Sequence, residues 1–371
     1  MVIFMSAKWP SWAGLIGLLW GLLVSLGCSQ GASPAEPAAA VAGPDADTYL
    51  QQGIEQYQAG RHAEAIAALN QALAADENLA PAYYYRGLAH QGQDKLHEAL
   101  GDYDRAISLD PEYGPAYLAR GQLLYEQGFL EPALADFDQA IALGTASADA
   151  YMQRGLARLG QEDFAGALAD FDQAIALQPD SAPAYNERGR LRGQQNDLAG
   201  ALADFAQALT LDPTLAEVHH NRALLNWGRG DLEGALVDFD RAVALDPQAA
   251  ESYYQRGLVR SALSDPGGAL VDFDQVIALD PGLTKAYLER GHLYRAQNDL
   301  ARAIADYSQA LALDNSLSQA YYHRGLARAS QQDLRGAASD LRLYLERNPG
   351  AEDYQTVLSW VEQFEAQLGG Q

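Results

Sequence analysis

From Ala46 onward the apolar and polar positions recur every 34 residues. AYMQRGLARLGQEDFAGALADFDQAIALQP (150–179) and SYYQRGLVRSALSDPGGALVDFDQVIALDP (252–281) align without a gap. Nine such repeats run to Ala351, beginning at Ala46, Ala80, Gly114, Ala148, Ala182, Ala216, Ala250, Thr284 and Ser318. The first half of each places an aromatic and then Arg-Gly, or a near equivalent, at helical spacing. The second half has Ala at its twentieth position and a large residue four on, such as Phe171 or Tyr307. A fixed period of this size predicts stacked pairs of helices.

Small residues mark where the two helices of a pair meet. The eighth position is Gly in every repeat but the sixth, which has Ala223. Gly inside a helix costs about 1 kcal/mol relative to Ala, so a close approach by the second helix must offset it. The turns agree. Asp-Pro at 110–111, 212–213, 246–247 and 280–281 ends a second helix, because Pro neither donates nor lets its predecessor stay helical. Pro81, Pro115, Pro183 and Pro266 fall where a helix starts and a missing N–H costs nothing.

One pairing tracks the repeat with unusual fidelity. The seventh position is Arg in repeats 2 to 9: Arg86, Arg120, Arg154, Arg188, Arg222, Arg256, Arg290 and Arg324. The twenty-third is Asp in the same repeats: Asp102, Asp136, Asp170, Asp204, Asp238, Asp272, Asp306 and Asp340. Repeat 1 lacks both. Joint presence points to a structural ladder of guanidinium forks on carboxylates rather than a row of ligand-binding arginines. The spacing allows the ladder to run within or between repeats.

The small residues at positions 8, 20 and 27, the aromatics at 4 and 24 and the closing Pro resemble the tetratricopeptide repeat family, over about five-sixths of the chain. That resemblance implies an all-α, right-handed superhelical solenoid of nine helix-turn-helix repeats, with first helices lining a concave groove. Repeat 1 is degenerate, with Gln52 for Arg and Glu77 for Pro, and repeat 9 has Tyr344 where a small residue would receive a further repeat. Terminal repeats of such arrays are atypical. Tyr354, Val357, Leu358, Val361, Phe364 and Leu368, at helical spacing, predict a capping helix within 352–371. By family analogy the groove candidates are Tyr84, Leu118, Tyr125, Met152, Asn186, Arg190, His219, Trp227, Tyr254, His292 and Tyr322. Such a surface suits a peptide or protein. Only Asn186 and Arg190 hint at the family's carboxylate clamp, so binding of chaperone tails is not expected.

Composition narrows the chemistry. The chain has 371 residues, is 48% hydrophobic and 20% charged, and has a formal net charge of −24 with three lysines. So acidic a surface repels nucleic-acid backbones. One cysteine, Cys28, allows neither an internal disulfide nor a multi-thiolate zinc site. His219 and His220 are adjacent, so their rings point to different helix faces and no metal site is expected. No phosphate loop, nucleophile elbow or Cys–His pair is present, and Asp136 with Asp138 recurs with the repeat. No cofactor and no enzymatic activity are expected.

The N-terminus carries an address. After Lys8, the run WAGLIGLLWGLLVSLG, 12–27, is apolar or small and short for a membrane span. Its end, VSLG-C, resembles the bacterial lipobox, with Ser25 where Leu is usual. The resemblance implies a signal peptide over 1–27 and acylation of Cys28. An uncleaved anchor and cleavage near Ala38-Ala39-Ala40 are the alternatives. Residues 28–45, rich in Ala, Pro and Ser, read as a flexible tether before the repeats of 46–351. The whole predicts an extracytoplasmic scaffold, in the periplasm or on the outer membrane, tethered through Cys28 and binding a protein or peptide, with envelope, pilus or membrane-complex assembly as the processes that family analogy offers. A small-molecule or glycan binding protein is the alternative.

Overall fold

The computed structural model describes residues 45–369. The expected signal segment, Cys28 and the tether up to residue 44 lie outside the described residues. The described chain is helical throughout, without a strand. Each repeat supplies two helices: α1 (Ala46–Gln58) and α2 (His62–Ala75), α3 (Ala80–Gln91) and α4 (Leu96–Leu109), α5 (Gly114–Glu126) and α6 (Leu130–Ala142), α7 (Ala148–Gly160) and α8 (Phe164–Leu177), α9 (Ala182–Gln194) and α10 (Leu198–Leu211), α11 (Ala216–Gly228) and α12 (Leu232–Leu245), α13 (Ala250–Ala262) and α14 (Pro266–Leu279), α15 (Thr284–Ala296) and α16 (Leu300–Leu313), and α17 (Ser318–Ser330) and α18 (Leu334–Arg347). A last helix, α19 (Tyr354–Gly369), follows.

Two compact units divide the chain, the first ending at Leu191 and the second beginning at Arg192. In the first, α1 to α8 pack each on the next, and the first helices α1, α3, α5 and α7 lie side by side. In the second, α10 to α19 pack each on the next, with α11 beside α13 and α15 beside α17.

In repeats 2, 3, 4, 7 and 8 the core of the pair is a ring laid on a glycine, while Leu69 and Leu341 cover the glycine in repeats 1 and 9 and repeat 6 has Ala223. A Cβ on Gly155 would stand 2.6 Å from the Phe171 ring, and one on Gly87 equally close to Tyr103 and 3.2 Å from the Ala99 carbonyl oxygen. Phe171, Tyr103 and their counterparts Phe137, Phe239 and Tyr307 are fully buried, as are all nine alanines at position 20. The large residue therefore occupies the gap that the glycine opens.

Local chemistry sets the helix ends. Asp163, Asp197, Asp231, Asp265, Asp299 and Asp333 accept the backbone N–H three residues on and so cap α8, α10, α12, α14, α16 and α18. Asp76, Asp110, Asp212, Asp246, Asp280 and Asp314 accept the N–H two residues on and close the turn to the next repeat. At the C-terminus, Tyr344 is covered by Val357 and Val361 of α19 and donates to Asp353 Oδ1 at 2.9 Å.

The turn between the helices of every repeat needs a left-handed residue at position 15. Gly60, Gly128 and Gly230 fill it in three repeats. Asp94, Glu162, Asn196, Ser264, Asn298 and Gln332 fill it in the others, at φ between 60° and 66°. Left-handed backbone costs an ordinary side chain about 1–2 kcal/mol, and Asn less. Glu162→Gly is therefore expected to raise stability by about 1 kcal/mol, and Asn196→Gly by much less. Urea unfolding midpoints of the two variants check this, and equal gains would contradict the strain argument.

Candidate functional site

The ladder runs both within and between repeats. Inside a repeat, the Arg fork grips the Asp of its own second helix: Arg86–Asp102, Arg120–Asp136, Arg154–Asp170, Arg222–Asp238, Arg256–Asp272, Arg290–Asp306 and Arg324–Asp340, each at 2.6–2.7 Å. The remaining Nη1 reaches back to the preceding repeat. It donates to Asn70 from Arg86, to Asp104 from Arg120, to Asp138 from Arg154 and to Asp172 from Arg188. Arg256 likewise reaches Asp240, Arg290 reaches Asp274 and Arg324 reaches Ser308. The carboxylates are buried, from Asp272 at 0% exposed to Asp136 at 5%.

A second arginine joins the same carboxylates. Arg158, Arg192, Arg260 and Arg328 donate to Asp170, Asp204, Asp272 and Asp340, and His90 lies 3.0 Å from Asp102. These residues stand one helical turn beyond position 7, at an i, i+4 spacing that the sequence reading did not use. The fork on Asp136 raises the Arg120 guanidinium above its ordinary value. Burial pushes the Asp272 carboxyl up, and Arg256 and Arg260 oppose that.

The groove candidates are largely tucked between neighbouring helices. Tyr84 meets the rings of Tyr85, Tyr103 and Tyr113 at 5.0–6.3 Å, and burial pushes its hydroxyl well above the usual range. Leu118 and Tyr125 pack on the Phe137 cluster, Met152 on that of Phe171 and Trp227 on that of Phe239. Tyr322 lies against Tyr344. All of these are half-buried, whereas Asn186 and Tyr254 are buried, at 4% and 8% exposed. Arg190 holds Glu187 with two nitrogens, and Asn186 donates to the same carboxylate. Lys285 Nζ sits 4.1 Å above the Tyr254 ring.

His219 stands apart from this set. It occupies position 4, where other repeats have Tyr, and its Nδ1 lies 3.3 Å from the ladder residue Asp238. Its neighbour His220 takes the groove-side position, with Nδ1 2.8 Å from Ser252 Oγ and its ring on Phe239. Near the C-terminal end, His292 and His323 meet edge to face at 4.5 Å above Tyr307. His292 Nε2, His323 Nδ1 and the Tyr307 hydroxyl are buried without a hydrogen-bond partner.

Two of these imidazoles, His220 and His323, are expected to make the fold acid-sensitive. Burial pushes both His220 and His323 down to about 4, with His292 and Arg295 adding to the effect on His323. The unfolded chain takes up these protons near pH 6.5, whereas the folded chain does so only near 4. Stability from the two groups is thus complete above about pH 6.5 and is lost as pH falls toward 4. The melting temperature is expected to drop between pH 7.5 and 5, with a smaller drop in a His220→Gln/His323→Gln variant. Parallel slopes for the two proteins would reject this assignment.

Among the described residues, no helix is long and apolar enough to cross a membrane, and no group of three or more His, Cys, Asp or Glu is placed to hold a metal. No curated protein matches the chain. Among the solved structures that share its fold are three from bacteria. The C-terminal part of a TPR repeat-containing protein from Cytophaga hutchinsonii is 15% identical, over 65% of this chain and 99% of that one, with TM-score 0.54. A tetratricopeptide repeat protein from Parabacteroides merdae is 19% identical, over 67% and 98%, at 0.51. Pseudomonas aeruginosa PilF is 21% identical, over 57% and 96%, also at 0.51. Family models for the tetratricopeptide repeat match residues 46–79, 80–113, 118–167 and 153–226, and one for the TPR repeat matches 229–264 and 291–332. With these matches spread across the array and helix pairs packed in the same register, the chain belongs to the tetratricopeptide repeat family.

Proposed function

We propose that the array is an interaction scaffold that binds a protein or peptide along its first helices and is held at a membrane through Cys28. The observation that supports it most is the alignment of first helices within each unit, with half-buried side chains such as Tyr125, Met152 and Trp227 between them. A surface of adjacent aromatic and aliphatic side chains gives an extended ligand anchors with little entropy to lose. Tethering rests on the sequence around Cys28.

A crosslinked pull-down from native membranes tests the reading. Trp227→Ala is compared with Leu177→Ala, a change at a 53% exposed side chain on a second helix. Loss of one specific protein from the Trp227→Ala sample alone is expected. An unchanged set would reject first-helix recognition. The anchor is tested separately by intact mass, where an unmodified Cys28 in the mature protein would exclude lipidation.

A further inference from the structure

Repeat 6 breaks the ladder at one rung. In the other seven ladder repeats, Nη1 of the arginine is taken by a side-chain oxygen of the preceding repeat. The residue in that place before Arg222 is Ala206, which has no oxygen to offer and is exposed. The same repeat departs at position 4. Elsewhere a Tyr ring there lies 5.2–5.7 Å from the guanidinium, as Tyr253 does over Arg256 and Tyr287 over Arg290. Repeat 6 has His219. The Arg222 side chain is accordingly 29% exposed, against 12% for Arg256 and 24% for Arg120.

His219 and the more exposed Arg222 line one hollow between α11 and α12. It has a volume of about 470 Å³ and is lined by His219, Arg222, Val237, Asp238 and Arg241, among others. Val237 is 68% exposed, at a position held by a small residue in every repeat but the sixth and seventh. Arg222 is already oriented, because its Nε and Nη2 are clamped on Asp238 at 2.8 and 2.6 Å. A donor fixed beforehand loses little freedom when it is occupied. Asp240 also lines the hollow, but Arg256 and Arg260 of the next repeat are both on it, so Arg241 adds positive charge at the rim.

We propose that this hollow is a second docking point, separate from the first-helix row, for an acidic side chain of a partner protein. The carboxylate of an Asp or Glu takes the place of the missing rung on Arg222 Nη1, and an adjoining aliphatic residue rests on Val237. The equivalent carboxylates Asp138 and Asp274 are more than half exposed, so the outer half of a rung is open to a group arriving from solvent.

The full chain, labelled with ¹⁵N-arginine, tests this by side-chain NMR during titration with acetyl-leucyl-aspartyl amide. The Arg222 Nε–Hε signal is expected to move several times further than those of Arg154 and Arg290. The asparaginyl analogue is expected to leave it in place. Ala206→Asp supplies the missing rung from within, at an exposed position that holds Asp in five other repeats. It is expected to melt no lower than wild type and to cut the Arg222 response to that of Arg154. An Arg222 signal that moves no further than the others, or moves equally in Ala206→Asp, would overturn the proposal. Sodium acetate acting as strongly as the dipeptide would overturn the part assigned to Val237 and a protein partner.

Discussion

Arg256→Ala is expected to lower the unfolding free energy by about 3–5 kcal/mol, far more than a surface ion pair provides. The Asp272 carboxylate is 0% exposed and receives Arg256 through two nitrogens and Arg260 through one. Without Arg256 the carboxylate keeps only the 3.1 Å contact from Arg260 and remains out of water. The cost is that of a stranded buried charge, not the loss of one favourable contact. A double variant, Arg256→Met/Asp272→Leu, removes both charges and fills much of the same volume. It is expected to be markedly more stable than Arg256→Ala, because a buried pair contributes little net stability over an apolar replacement. Urea unfolding of the two variants and wild type, read by circular dichroism, gives the comparison. An Arg256→Ala loss under about 1 kcal/mol would show that water reaches Asp272.

The fold was legible because each repeat states it again. Gly155 against Phe171, Ala167 at the helix crossing and the Asp-Pro stops all point to one packing, and nine copies remove the ambiguity of any single one. The ladder pairing was also legible, since Arg and Asp appear and disappear together. Its reach between repeats was not, because the acceptor at position 25 varies among Asp, Asn, Ser and Ala. The arginines at position 11 were hidden for the same reason: Leu124 and Tyr294 interrupt the series. The first-helix surface was read least well. Spacing identifies which residues face the next helix, but not how far that helix covers them. Tyr254 and Asn186 show the difference, being buried where spacing alone suggests access. His219 shows it in another way: one step along a helix turns a side chain by about 100°, which carries it from the groove row to the ladder.

Phe171→Ala is expected to cost about 3–5 kcal/mol, comparable to the broken ladder but by a different route. The ring is fully buried between Gly155, Ala167, Leu156 and Leu191. Its removal leaves a cavity that the Ala167 methyl is too short to fill and that Gly155, with no side chain, leaves open. The end repeats supply a built-in control, because Leu69 and Leu341 cover Gly53 and Gly325 at the same position. Phe171→Leu is therefore expected to cost about 1.5 kcal/mol or less, as a smaller but still space-filling change. Because each repeat leans on its neighbours, the loss should be local before it is global. Hydrogen exchange is expected to quicken first in α7 and α8 of Phe171→Ala, with α1 and α2 close to wild type. Uniform acceleration along the first unit would instead mean that its repeats open as one block, and that stability cannot be assigned to single glycine–ring contacts.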